Sequence, residues 1–167
     1  MDFANLPYII DGDFTLTESA AVTVYICDKW APALMGSNPA ERSRIIQLQC
    51  VIKDFMLSFL MMGFQGKTQA EVIDKAIEGY PKLAEFLGNK DYLTGTLSMV
   101  DFMLFEMEET ICALCHDKRI YTSHPNLEAH NNRMKAIPQF AAYLASPDCI
   151  TQPFFIPASN LDMQIPQ

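Results

Sequence analysis

Strand-like sequence is confined to the start of the chain, before Glu18, and every long segment after it repeats with a helical period. Tyr8-Ile9-Ile10 is a short apolar run, Asp11-Gly12-Asp13 is turn chemistry, and Phe14-Thr15-Leu16-Thr17 is a second run. Together they predict a β-hairpin. Two strands are marginal in water on their own, so the hairpin must lie on a helix or join a larger sheet. Helices are what the rest of this chain supplies. The class that follows is α+β, mostly α.

A first helix is predicted from Glu18 to Trp30, with Thr17 or Ser19 near its N-cap and Pro32 as its stop. Ala21, Val22, Tyr25 and Ile26 form its apolar stripe. Residues 32–39 carry Pro, Gly, Ser and Asn and read as a linker. The expected division is 1–31, a linker at 32–39, and a helical domain over 40–167 that ends in a proline-containing tail. Within that domain Ile45, Leu48, Ile52, Phe55 and Phe59 recur at helical spacing from Ala40 to Phe64. Val51, Met56, Leu60 and Met61 widen the stripe, which calls for two packing partners. Thr68-Gln69-Ala70-Glu71 is a capping box opening a helix to about Phe86, with Gly88 as its end. The clearest local signal is Leu97-Ser98-Met99-Val100-Asp101-Phe102. Ser98 is the N-cap, Asp101 reaches back to the free backbone donors, and Leu97 and Phe102 stand at staple positions. The helix so nucleated runs to about His116, and Pro125–Lys135 and Pro138–Ala145 are two shorter ones. As a cap alone, Asp101→Ala or Ser98→Ala should each cost about 1 kcal/mol.

Twelve Lys and Arg against twenty Asp and Glu leave a net charge of −8. With no basic cluster, the charge disfavours an electrostatic hold on nucleic acid or an anionic membrane. The most apolar run, Phe55 to Phe64, is too short to span a bilayer, so no membrane insertion is expected. Five irregularly spaced cysteines do not read as a disulfide framework, and Met1-Asp2-Phe3 shows no targeting signal. An intracellular, reducing compartment is expected.

Several separate stretches resemble the cytosolic glutathione S-transferases, and within them the mu class. Asp2-Phe3-Ala4-Asn5-Leu6-Pro7-Tyr8-Ile9-Ile10-Asp11-Gly12 is similar to the family's cis-proline stretch and following strand. Leu16-Thr17-Glu18-Ser19-Ala20-Ala21-Val22 is similar to its glutathione-binding turn and helix. Glu85-Phe86-Leu87-Gly88, Leu93-Thr94-Gly95, the Ser98–Phe102 box and His124-Pro125-Asn126-Leu127 match its C-terminal domain in order and spacing. The resemblance implies a partial thioredoxin-like domain followed by the all-helical domain. It also implies that the first strand, first helix and second strand of the family, with its thiol-activating tyrosine, lie before the residue that matches Met1. None of the six tyrosines here matches that site, so no catalytic residue is assigned.

What the resemblance implies of the glutathione site falls on Asn5, Leu6, Pro7, Glu18, Ser19 and Asp54. Leu6, beside a cis Pro7, would pair with the peptide backbone of glutathione. Glu18, where the mu class usually has glutamine, would face its γ-glutamyl ammonium, and Ser19 its carboxylate. Asp54 would reach the same ammonium from a second subunit. Phe3 matches the phenylalanine that inserts between helices of a partner, while Val24 stands where an arginine usually sits at the two-fold. The expected role is a non-catalytic interaction subunit of a larger assembly, with Phe3, Tyr8, Ile9, Ile10 and Leu16 against another chain or in a homodimer. The alternative is a glutathione transferase whose catalytic segment precedes this chain. No cofactor is expected beyond glutathione as ligand or substrate.

Cys112-Ala113-Leu114-Cys115-His116 spells the haem-attachment motif, and with His124 it offers a set of zinc-ligand residues. Inside an amphipathic helix, Cys112 and Cys115 read instead as small core hydrophobes one turn apart, and no metal is assigned. His116, His124 and His130 read as surface or loop residues. The ten methionines suit either an adaptable pocket or core filling.

Overall fold

The computed structural model describes residues 3–150 and Leu161. Apart from Leu161, the tail expected after residue 150 lies outside the described residues. Strands β1 (Tyr8–Asp11) and β2 (Phe14–Thr17) pair antiparallel, with Ile9 opposite Leu16 and Asp11 opposite Phe14. Gly12 turns the corner at φ 61°, where a side chain would be strained. The hairpin lies on helix α1 (Ser19–Trp30). Ile9, Asp11, Phe14 and Leu16 share the inner face. The Tyr25 hydroxyl donates to Asp11 at 2.6 Å, Lys29 pairs with the same carboxylate, and the Phe14 ring sits 4.8 Å from that of Tyr25. Lys29 first, then Tyr25, hold the Asp11 carboxyl below its ordinary range.

Two local expectations are corrected here. The first helix starts at Ser19, with Glu18 rather than Thr17 or Ser19 as its N-cap and no side-chain cap bond. The linker is not a free spacer. It folds into a 3-10 turn over Pro32–Met35, and Met35 is buried. Arg42 then donates both guanidinium nitrogens to Asp28, at 2.7 and 2.6 Å, which ties the start of the next helix to α1.

Helix α2 (Pro39–Phe64) starts on Asn38, whose side chain accepts the Ala40 and Glu41 N–H groups. By length and composition it is long and apolar enough to cross a membrane, beyond what the Phe55–Phe64 run alone suggests. One face of it packs into the core. Ile45, Leu48, Ile52, Phe59 and Leu60 are buried, and it meets both α3 (Gln69–Leu87) and α4 (Met99–Cys115), the two partners its broad stripe requires. The Thr68–Glu71 box opens α3. The Thr68 N–H, then Lys67, lower the Glu71 carboxyl to about 2. Helix α4 is buried along most of its length and forms the centre of the core. Around it pack α5 (Arg119–Ser123), too short to leave a period in the sequence, and α6 (Pro125–Lys135), on which α7 (Pro138–Leu144) packs in turn.

Candidate functional site

The site is built where the segment before β1 meets the start of α1. The Leu6–Pro7 peptide bond is cis. Glu18 stands at φ 71°, ψ 113°, a conformation that costs a residue with a side chain about 1–3 kcal/mol and that concentrates at ligand sites. The Asn5 amide holds it there, donating to Glu18 Oε1 at 2.9 Å, while Asn5 Oδ1 accepts the Leu6 N–H at 2.9 Å. Asn5, Leu6, Pro7, Glu18 and Ser19 are thus brought together, all exposed. Ser19 opens α1, whose first-turn N–H groups receive no side-chain cap and face outward with the positive end of the helix dipole.

From Ser19 a cleft of about 260 Å³ runs between α1 and α2, bounded by Thr23, Lys53, Met56, Leu60 and Met103. A second cavity of about 490 Å³ continues it toward Met99 and Phe102, sharing Thr23, Met56 and Met103. Gln49, buried on α2, donates to the Ala20 carbonyl at 3.2 Å and fixes the two helices against each other. One end of the cleft is polar, with Ser19 and Lys53; the other is apolar and adaptable. Both readings of the methionines therefore hold. Met56, Met99 and Met103 line the cleft, while Met35, Met107 and Met134 are fully buried.

Asp54 is exposed on α2 and does not line this cleft. Phe3 is 80% exposed. A separate groove of about 410 Å³ lies between α2 and α3, floored by Leu48, Val51, Phe55, Leu83 and Phe86. Arg44 and Lys82 stand on its rim. Gly79 makes the groove possible, because a Cβ there would come 2.1 Å from the Phe55 ring. Of the remaining interface candidates, Tyr8 and Ile10 are exposed on the outer face of the hairpin. Ile9 and Leu16 are half-buried on the face that α1 covers, a correction that follows from the alternation of a strand. Val24 packs against the core.

A family model for the C-terminal domain of glutathione S-transferases matches residues 53–147, over half of the chain. The chain belongs to the glutathione S-transferase family. It is 32% identical over 158 residues to the class-mu 26 kDa isozyme 51 of Fasciola hepatica, covering 92% of this chain and 70% of that one. It is likewise 32% identical over 157 residues to the class-mu 26 kDa isozyme of Schistosoma mansoni, with the same shares. Among solved structures, the glutathione S-transferase Blo t 8 superposes with a TM-score of 0.76 at 22% identity, over 96% of this chain and 77% of that one. Rat hPGDS complexed with a quinoline gives 0.69 at 20% identity, over 84% and 72%. The chain is therefore a mu-class-like member in which the hairpin and α1 precede the family's helical domain.

Some features of the folded chain leave little mark in its sequence, and others agree with it. The strain at Glu18 left no compositional mark, because glutamate is ordinary at a helix start. Gly79 stands inside a helix pattern, and such a glycine does signal a close approach. His130 is buried rather than at the surface, on the inner side of α6. Cys112 and Cys115 are core residues, and burial pushes their thiols up to about 12 and about 11.

Proposed function

We propose that this chain holds the γ-glutamyl end of glutathione and acts as a subunit pairing with further protein, rather than conjugating glutathione unaided. The observation that carries the reading is Glu18, held by Asn5 in a costly conformation at the mouth of the cleft. A γ-glutamyl group presents an ammonium and a carboxylate. The Glu18 carboxylate suits the first, and Ser19 with the uncapped N-terminus of α1 suits the second. The exposed Leu6 backbone suits the adjoining peptide unit, and the apolar end of the cleft suits what the sulfur carries.

Pairing is supported by Tyr8 and Ile10 on the outer face of a sheet whose strands, among the described residues, pair only with each other. It is supported too by Phe3 and by a groove of matching character between α2 and α3, where a second copy would seat it. Conjugation needs a donor that stabilises a thiolate. The described tyrosines that shift do so upward, Tyr25 through its bond to Asp11 and Tyr80 and Tyr121 through burial. A second reading, conjugation with a thiol-activating group supplied by further chain, is favoured by the activity in the relatives' names.

Calorimetric titration of the 167-residue chain with glutathione tests the first reading. Saturable binding is expected, weakened at least about tenfold in Glu18→Ala through loss of a charged hydrogen-bonding partner. Transfer of glutathione to a chlorodinitrobenzene-type electrophile should stay at the uncatalysed rate. Turnover at an enzymatic rate, or absence of binding, would overturn the first reading.

A further inference from the structure

The helical domain buries a cluster of charge that the glutathione cleft does not use. Asp101 and Glu108 on α4 and His130 on α6 are each fully buried. Asp101 Oδ1 accepts the Leu93 N–H at 2.8 Å, and Oδ2 accepts the N–H and the hydroxyl of Ser98, both at 2.8 Å. Both oxygens are thereby committed as acceptors, so His130 Nε2, 3.3 Å from Oδ1, has to be a donor. Across the ring, Nδ1 lies 3.5 Å from Glu108 Oε1, and neither atom has another partner. Glu108 Oε2 takes the Asn131 amide at 3.0 Å.

A bare Nδ1 facing a carboxylate would set two acceptors against each other. One proton between them removes the conflict, whether it sits on the ring beside an ionised Glu108 or on Glu108 beside a neutral ring. In either form the cluster, with Asp101, carries one net negative charge. Without that proton it carries two and no buried cation, a state heavily penalised by burial. We propose that His130 and Glu108 share a single proton that clamps α6 onto α4, making the helical domain a pH-sensitive unit that loosens in mildly alkaline solution.

Burial alone would lower the His130 pKa. The hydrogen bonds to Asp101 and Glu108 more than offset it and raise it to about 9, while burial raises that of Glu108. The other groups around the pair are Glu109 and Cys112 on α4, Tyr80 on α3, Tyr121 on α5, Lys90 ahead of α4 and Lys135 on α6. Burial pushes Tyr80 and Tyr121 upward and Cys112 to about 12, so none of these three titrates before the pair does. Lys135 is engaged with Glu109 at 2.8 Å, Lys90 with the Leu93 carbonyl at 2.7 Å, and Tyr143, the one titratable residue of α7, is exposed. An unfolded histidine releases its proton near pH 6.5. The folded pair holds one more proton from there upward. Stability from the clamp is therefore complete below about pH 6.5 and is lost as pH climbs toward the raised value.

Urea unfolding of the full chain tests this. From about pH 6.5 to about pH 8.5 the unfolding constant should rise by up to about tenfold per pH unit, the slope of one linked proton. The double variant Glu108→Met/His130→Phe, which removes the pair at similar volume, should lose that slope and keep only the thiol-linked fall at higher pH. Equal slopes in the two proteins would overturn the proposal. If the double variant does not fold, ring proton–carbon NMR on the wild type decides, with His116→Gln and His124→Gln for assignment. A His130 midpoint above about pH 8 supports the clamp, and one at or below the ordinary value of about 6.5 overturns it.

Discussion

Asp101→Ala should destabilise the chain by about 3–5 kcal/mol, a large part of a typical domain's net stability. Capping alone accounts for about 1 kcal/mol of this. The remainder comes from the other things the carboxylate holds. It accepts the Leu93 N–H, which fixes the loop between α3 and α4, and it faces His130, which fixes α6. Alanine would leave those buried donors without partners and His130 with one acidic neighbour instead of two. Ser98→Ala, which removes a hydroxyl and leaves the carboxylate in place, should cost about 1 kcal/mol. The double substitution should fall short of the sum, since both act on one helix end. Chemical denaturation at neutral pH measures all three. A loss near 1 kcal/mol for Asp101→Ala would reduce the residue to a simple cap.

Phe3→Ala should weaken self-association by about thirtyfold or more, equivalent to about 2 kcal/mol, because a buried aromatic anchor in a pocket dominates an interface of this kind. Phe3 is exposed in the single chain, and the groove between α2 and α3 offers an aromatic floor with Arg44 and Lys82 at its rim. Gly79→Ala tests the same contact from the other side. Its Cβ would drive the Phe55 ring from its place and reshape the groove without touching Phe3. Sedimentation across a concentration series should show a dimer that both substitutions weaken. Unchanged association in both variants would place the interface elsewhere.

The sequence carried the helices well, because amphipathic period and caps are local. Thr68–Glu71 and Ser98–Asp101 open α3 and α4 where their spacing predicts, and the broad stripe of α2 meets two neighbours. The hairpin was legible from its turn. Features that depend on tertiary approach were not. A five-residue helix at Arg119–Ser123 has no period to read, and the turn at Pro32–Met35 hides behind a linker-like composition. His130 looks like any polar residue of a surface helix until Asp101 and Glu108 are folded against it. The candidate site was legible only as far as its residues match a known pattern. Asn5, Leu6, Pro7, Glu18 and Ser19 do come together, but the bond from Asn5 that holds Glu18 in its rare conformation spans thirteen positions and belongs to the fold alone.

Recognition of the γ-glutamyl group is best tested by titrating the full chain in parallel with glutathione and with Cys-Gly, the same thiol peptide without that group. In the proposed reading, Glu18, Ser19 and the N-terminus of α1 all address the part that Cys-Gly lacks. Saturable binding of glutathione, with Cys-Gly weaker by at least about tenfold, is the predicted result. Equal binding of the two peptides, or binding of neither, would contradict it.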